Sequence, residues 1–267
     1  MTTLLFYKKP TALNAQLHSD LNFVNDANDY GFAKATNSVI LAGVEFIEAC
    51  KEYPIVFTRA TNGVAVPAAV LGVANEQNLF VNEAGEWDAR YIPAFVRRYP
   101  FVLAESGEAG KETLTVCYDA ESPNFSTKRG EPLFDKKGEP TELLGNTMKL
   151  LQAYHEQTKR TAEMMALIDE HQLLRPMNMR MELNRGDKFA LEHLLIIDES
   201  KLADLPAEVT QKLQQEGFMG WIYAHLISLS NFARLLDRVN EQTTSNPASE
   251  KEAEKATNET KTTRTKR

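Results

Sequence analysis

Tyr53-Pro54-Ile55-Val56-Phe57-Thr58-Arg59-Ala60-Thr61-Asn62-Gly63-Val64-Ala65-Val66-Pro67-Ala68-Ala69-Val70-Leu71-Gly72-Val73 is the stretch on which the fold turns. Ile55 to Thr58 and Val64 to Val73 are rich in β-branched and apolar residues, which suit a pleated, half-buried surface. Between them lies Asn62-Gly63, a pair in which both residues tolerate positive φ, as the tight turn of a hairpin requires. The reading is an antiparallel strand pair. Working outward, Asn78-Leu79-Phe80-Val81-Asn82 followed by Glu83-Ala84-Gly85 predicts a further strand and turn. Two helices interrupt this sheet-rich half. One is expected from Ala42 to Glu52, with Val44, Ile47 and the Cys50/Lys51 end on one stripe; the other runs from Ile92 to Tyr99, with Pro93 in its first turn, where a missing amide costs little. Each runs into Tyr-Pro, at Tyr53-Pro54 and Tyr99-Pro100. Proline stops a helix and biases the preceding residue toward extended backbone, so both copies predict a helix-to-strand corner.

The texture changes near residue 140. Ser122-Pro123, Arg129-Gly130, Glu131-Pro132, Lys137-Gly138 and Glu139-Pro140 mark a connector rich in turn formers. A long helix is predicted from Thr141 to His171, with Leu144, Met148, Leu151, Tyr154, Thr158, Met165 and Ile168 near helical spacing and Thr141 as its cap. Met179 to Leu183 and Phe189 to Ile197 read as a hairpin around Asn184-Arg185-Gly186-Asp187. A helix over Pro206 to Glu216, closed by Gly217, is followed by a strand at Trp221 to Ile227 and a helix from Ser230 to Val239. The expected fold class is therefore α+β: a mostly antiparallel sheet-rich lobe with connector over 1–140, an α+β lobe over 141–240, and a disordered tail over 241–267. The tail has no aromatic or β-branched hydrophobic residue, so it lacks the apolar surface that offsets the entropy of ordering.

Charge and composition exclude several classes. With 30 basic and 37 acidic residues the net charge is −7; the tail carries five glutamates against six lysines and arginines, which leaves residues 1–240 at about −8. An acidic body without a basic stripe argues against nucleic acid as a partner. No apolar run reaches bilayer-spanning length and no secretion signal is visible, so a cytoplasmic, soluble protein is expected. Cys50 and Cys117 form no CxxC pair and read as buried free thiols. No phosphate loop, dinucleotide fingerprint, nucleophile elbow or metal-ligand spacing is present, so no cofactor is indicated and no metal site is expected.

The string Tyr91-Ile92-Pro93-Ala94-Phe95-Val96-Arg97-Arg98-Tyr99-Pro100-Phe101, together with Tyr53-Pro54-Ile55-Val56-Phe57, Pro67-Ala68-Ala69-Val70-Leu71-Gly72, Asn78-Leu79-Phe80-Val81, Leu133-Phe134 and Ile222-Tyr223-Ala224-His225-Leu226, resembles the bacterial SapC family over roughly residues 15–240. The resemblance implies an association with a bacterial surface layer and serum resistance. It also implies a gene neighbourhood of outer-membrane receptors and flavin-dependent halogenase-like proteins, and hence work in nutrient uptake or metabolite modification. It supplies no catalytic residues to carry over.

The segment Glu86 to Phe101 holds five aromatics, three arginines and two prolines in sixteen residues. Trp87, Tyr91 and Tyr99 offer flat apolar faces, and Arg97 and Arg98 offer planar donors, a combination suited to anionic groups, aromatic ligands or peptide carboxylates. The same residues also fit a structural reading, with Tyr91, Phe95 and Tyr99 at i, i+4 and i+8 as the buried stripe of a short helix. Adjacent arginines on a helix point about 100° apart, so at most one of the pair is expected to face a single pocket. His193 and His225 are the candidates for acid-base work, on the expectation that their two strands are neighbours. Two functions follow: a binding or accessory protein recognising a small molecule, peptide or protein, and an enzyme using His193 or His225 with a carboxylate. A surface-layer role rests on the family resemblance alone.

Overall fold

The computed structural model describes residues 5–25, 29–107, 113–182 and 188–245. Along the chain, β1 (Pro10–Ala12), β2 (Asn22–Phe23) and β3 (Ser38–Ile40) precede a 3-10 turn at Gly43–Glu45 and the short α1 (Phe46–Ala49). There follow β4 (Ile55–Arg59), β5 (Ala65–Val70), α2 (Ala94–Arg97), β6 (Phe101–Ser106), β7 (Thr113–Asp119), β8 (Phe125–Ser126) and β9 (Glu131–Pro132). The second half holds α3 (Glu142–Glu170), β10 (Leu174–Glu182), β11 (Lys188–Ile197), α4 (Glu199–Ala203), α5 (Ala207–Gln215), α6 (Phe218–Ser228) and α7 (Asn231–Ser245). The fold is α+β with antiparallel pairing throughout its three sheets, ordered β1-β7-β6, β10-β11-β4-β5-β3 and β8-β2-β9.

The hairpin forms, but with a longer turn than the two-residue one expected: residues 60–64 join the strands, and of the Asn62-Gly63 pair only Gly63 has positive φ. Gly63 takes φ +82°, and β4 and β5 pair from Ile55↔Ala69 to Arg59↔Ala65. Both Tyr-Pro corners deliver the chain into a strand, β4 after Pro54 and β6 after Pro100; the Tyr99–Pro100 bond is cis. The 29-residue α3 matches the long helix, and its two ends serve two cores. Leu144 and Leu151 pack with Phe101, Tyr118, Leu133 and Phe134. Met164, Met165 and Ile168 join the larger cluster, in which Phe46, Tyr53, Ile55 and Phe57 meet Phe218, Ile222, Phe232 and Leu235. Burial of each large apolar side chain in such a cluster contributes roughly 1.5–3 kcal/mol.

Several local expectations are corrected. Trp221 to Ile227 is not a strand but the body of α6, whose buried residues Phe218, Trp221, Ile222, His225 and Ser228 follow helical spacing. The segment is apolar on nearly every side, and a short, uniformly apolar run carries no period to separate helix from strand. Asn78 to Asn82 contributes only the bridge Val81↔Trp87, because Asn78 bends the chain: its Nδ2 donates to Ala33 O while its Oδ1 accepts from Phe80 N. The Ala42–Glu52 helix is a 3-10 turn followed by one α-turn, and Val44 and Ile47 are exposed while Phe46 and Ala49 are buried. The helix expected over Ile92 to Tyr99 is likewise the single turn α2, with Pro93 just before it. Thr141 precedes α3, but its hydroxyl donates to Pro132 O and Leu133 O rather than accepting from the helix. Of the segment read as a tail, residues 241–245 belong to α7 and the rest lies outside the described residues, as does the turn Asn184 to Asp187. Cys117 is buried and Cys50 half-buried, both as free thiols.

Candidate functional site

Beyond the Val81↔Trp87 bridge, side chains fasten the aromatic-arginine segment to the core. Trp87 Nε1 donates to Tyr53 Oη at 2.9 Å, and the Tyr53 hydroxyl donates in turn to Tyr91 O. Arg238 of α7 reaches across to Asp88 at 2.7 Å, donates to Asp88 O and Leu79 O, and lies 4.4 Å from the centre of the Phe80 ring. Between the segment, the end of α1 and the start of α7 opens a cleft of about 740 Å³. Trp87 and Tyr91 supply its aromatic wall. Three of its cations are already paired within it, Lys51 with Glu48, Arg234 with Glu52 and Arg238 with Asp88. Arg90 is exposed and makes no ion pair or hydrogen bond among the described residues.

On the other side of Tyr91 lies Glu45, a residue the sequence reading passed over. It is 5% exposed, and its two carboxylate oxygens accept from Tyr91 Oη at 2.8 Å, Ala94 N at 2.6 Å and Ala42 N at 2.8 Å. Burial raises its pKa above the usual carboxylate range, against the opposing pull of these three donors and of nearby Arg97. The Tyr91 hydroxyl is pushed up as well, first by burial and then by the Glu45 charge. Glu45, Tyr91 and Arg97 border a mostly apolar hollow of about 270 Å³, closed by Leu150, Ala153 and Tyr154 of α3. The available signal for Glu45 was its apolar flank, Val44-Glu45-Phe46-Ile47: a charge set in an apolar run and drawn inward with Phe46 must find partners.

Arg97, Arg98 and Tyr99 line a third hollow, of about 170 Å³. Here the expectation for adjacent arginines is corrected, since both line one pocket. The physical reason is that α2 is a single turn, and the chain from Val96 to Phe101, as it leaves that turn, forms one continuous wall. Arg97 is exposed, its Nε donating to Ile92 O at 2.9 Å and its guanidinium 5.8 Å from the Tyr91 ring centre. Arg98 is half-buried and stacks on Phe95 at 4.3 Å and Tyr154 at 5.0 Å. The Tyr99 hydroxyl donates to Asp119 at 3.2 Å, and its ring stacks on Phe32 at 4.1 Å. Tyr91 and Glu48 are shared by the first two hollows, and Arg97 and Leu150 by the second and third, so the three follow one another along the segment.

Residues 13–235 match the family model described as SapC. The chain belongs to the SapC family. No curated protein and no solved structure matches it.

In this SapC chain the two candidate histidines stay apart. His193 is exposed, with φ +61°, where β11 slips register against β10 between Met177 and Met179. His225 is fully buried in α6, where Nδ1–H donates to Ile55 O at 2.8 Å and Nε2 accepts from Ile197 N at 3.1 Å. The Ile55 carbonyl can only accept and the Ile197 N–H can only donate, so the ring is held as the neutral Nδ1–H tautomer. Burial pushes its pKa down to about 4. Both ring nitrogens are occupied in clamping β4 and β11 to α6. Ser228, one turn on, continues the clamp by accepting from Ile55 N at 2.9 Å. Among the described residues, no three His, Cys, Asp or Glu side chains converge where a metal ion could sit, and no helix is long and apolar enough to cross a membrane.

Proposed function

We propose that this SapC-family protein is a binding protein that takes a peptide-like ligand, with a free carboxylate and an apolar side chain, in the cleft walled by Trp87, Arg90 and Tyr91. The observation that carries this reading is Arg90, a guanidinium with no partner among the described residues in a cleft whose other cations are paired. A free guanidinium fits a carboxylate bidentately, and the flanking rings suit the ligand's apolar part. The cleft's size falls within the roughly 300–1,000 Å³ of small-molecule sites. Its mixed charge, with Glu48, Glu52 and Asp88 facing Lys51, Arg234 and Arg238, favours a zwitterion over a polyanion. A ligand held this way suits an accessory role in nutrient uptake or peptide modification.

The test uses tripeptides with free or amidated C-termini, followed by tryptophan fluorescence and melting temperature. The chain has two tryptophans, and Trp221 is buried, so a fluorescence change reports chiefly on Trp87. Free-carboxylate peptides are expected to bind roughly 10–100-fold tighter than amides, the worth of one charge-assisted contact. Arg90→Gln should erase that preference. Equal binding of both peptide forms, or an unchanged preference in Arg90→Gln, refutes the reading.

A further inference from the structure

We propose that the pocket lined by Arg97 and Arg98 is a second, separate site, for a compact oxyanion of the carboxylate or phosphate type. Among the described residues neither arginine has an ion pair, although the chain carries 37 acidic residues against 30 basic ones. In so acidic a protein a half-buried guanidinium ordinarily ends beside a carboxylate, because burying an unpaired charge is costly. Arg98 does not. Its guanidinium lies over the Phe95 and Tyr154 rings, and its Nε is buried without a hydrogen-bond partner. Stacking of this kind orients the donor edge without satisfying it, leaving the group organised in advance for an acceptor that the fold does not supply.

Three other polar side chains of the pocket are already engaged. The Thr147 hydroxyl donates to Leu143 O, Asn124 Nδ2 to Val24 O, and the Tyr99 hydroxyl to Asp119. The carboxylate that lines the pocket, Asp29, accepts from Gly31 N and forms no ion pair with either arginine, so the two cations outweigh it by one charge. Arg97 adds its guanidinium edge from the rim, with its Nε pinned to Ile92 O. The volume, about 170 Å³, is well above the roughly 10–15 Å³ that a single water requires. That room suits a phosphate or a small dicarboxylate.

The experiment follows melting temperature and calorimetric binding of inorganic phosphate and of succinate, each against sodium chloride at equal ionic strength. The intact chain should show a saturable rise with at least one of the two, and which one responds distinguishes phosphate from carboxylate as the group recognised. Arg98→Met, which keeps the stacked stem but not the donors, should weaken binding by about tenfold or more, as expected for loss of a bidentate charge-assisted contact. Arg97→Gln alters an exposed residue without touching the core, so its loss of the rise tests the site even if Arg98→Met folds poorly. Arg90→Gln should leave the rise intact, which keeps this site's success or failure apart from that of the peptide cleft. The proposal is overturned if neither anion gives a saturable rise in the intact chain, or if the rise persists undiminished in Arg97→Gln and in a folded Arg98→Met.

Discussion

Acidification should loosen this protein through one side chain. His225 holds its proton on Nδ1 for Ile55 O and offers Nε2 to the Ile197 N–H. Protonating Nε2 would set one N–H against another inside the core, beside the Phe57 ring at 4.7 Å. Burial depresses the folded pKa to about 4 from 6.5, against the opposing pull of the hydrogen bond to Ile55 O. Below pH 6.5 the unfolded chain takes up the proton and the folded chain does not, so the stabilisation is complete above pH 6.5 and is lost as pH falls toward 4. A gap of this size, at about 1.4 kcal/mol per pH unit, corresponds to a loss of about 3 kcal/mol over that window, levelling off below it. The assay is urea denaturation at half-unit pH steps on the native chain and on His225→Gln, whose amide can reproduce a donor and an acceptor without titrating. The variant should be less stable at pH 7, yet its acid-induced loss between pH 6.5 and 4 should be smaller by about 3 kcal/mol. The difference between the chains cancels the carboxylates common to both. Parallel stability curves for the two proteins would refute the argument.

Glu45 should act with the opposite sign. Its pKa is raised from 4.5, so its protonated form is favoured by folding, and the associated stability declines as pH rises from 4.5 through the raised value. Glu45→Gln should abolish that slope while costing about 1–3 kcal/mol, because an amide group turned toward Ala42 N, Ala94 N or Tyr91 Oη opposes a donor with a donor; denaturation at pH 5 and pH 8 measures both. At Gly43 an added Cβ would fall 2.1 Å from the Trp221 ring, so Gly43→Ala should lower stability by about 1–3 kcal/mol or more through overpacking between the 3-10 turn and α6. Thr161→Val should cost about 1–3 kcal/mol in the same urea assay, since it leaves the buried Gly43 N–H without the hydroxyl it donates to at 2.8 Å.

The features that local chemistry determines were legible in the chain. Gly63 supplies the positive φ of the β4–β5 turn, the two Tyr-Pro pairs end their helical turns, and the apolar repeat from Leu144 to Ile168 specifies α3. The sequence by itself therefore determined an antiparallel sheet crossed by a long helix, and its Tyr91–Phe101 string carried the family. Tertiary structure alone decided α6, because Phe218 to Ser228 has apolar residues on every side and its helical form is selected by the fit of His225 and Ser228 onto β4 and β11. The same holds for the site. That Arg97 and Arg98 share a pocket, that Arg90 is left without a partner, and that Glu45 meets Tyr91 are outcomes of which elements α3 and α7 bring alongside the segment. Backbone preferences act between near neighbours and can be read along the chain; desolvation and charge pairing depend on distances in space, which only the packed fold sets.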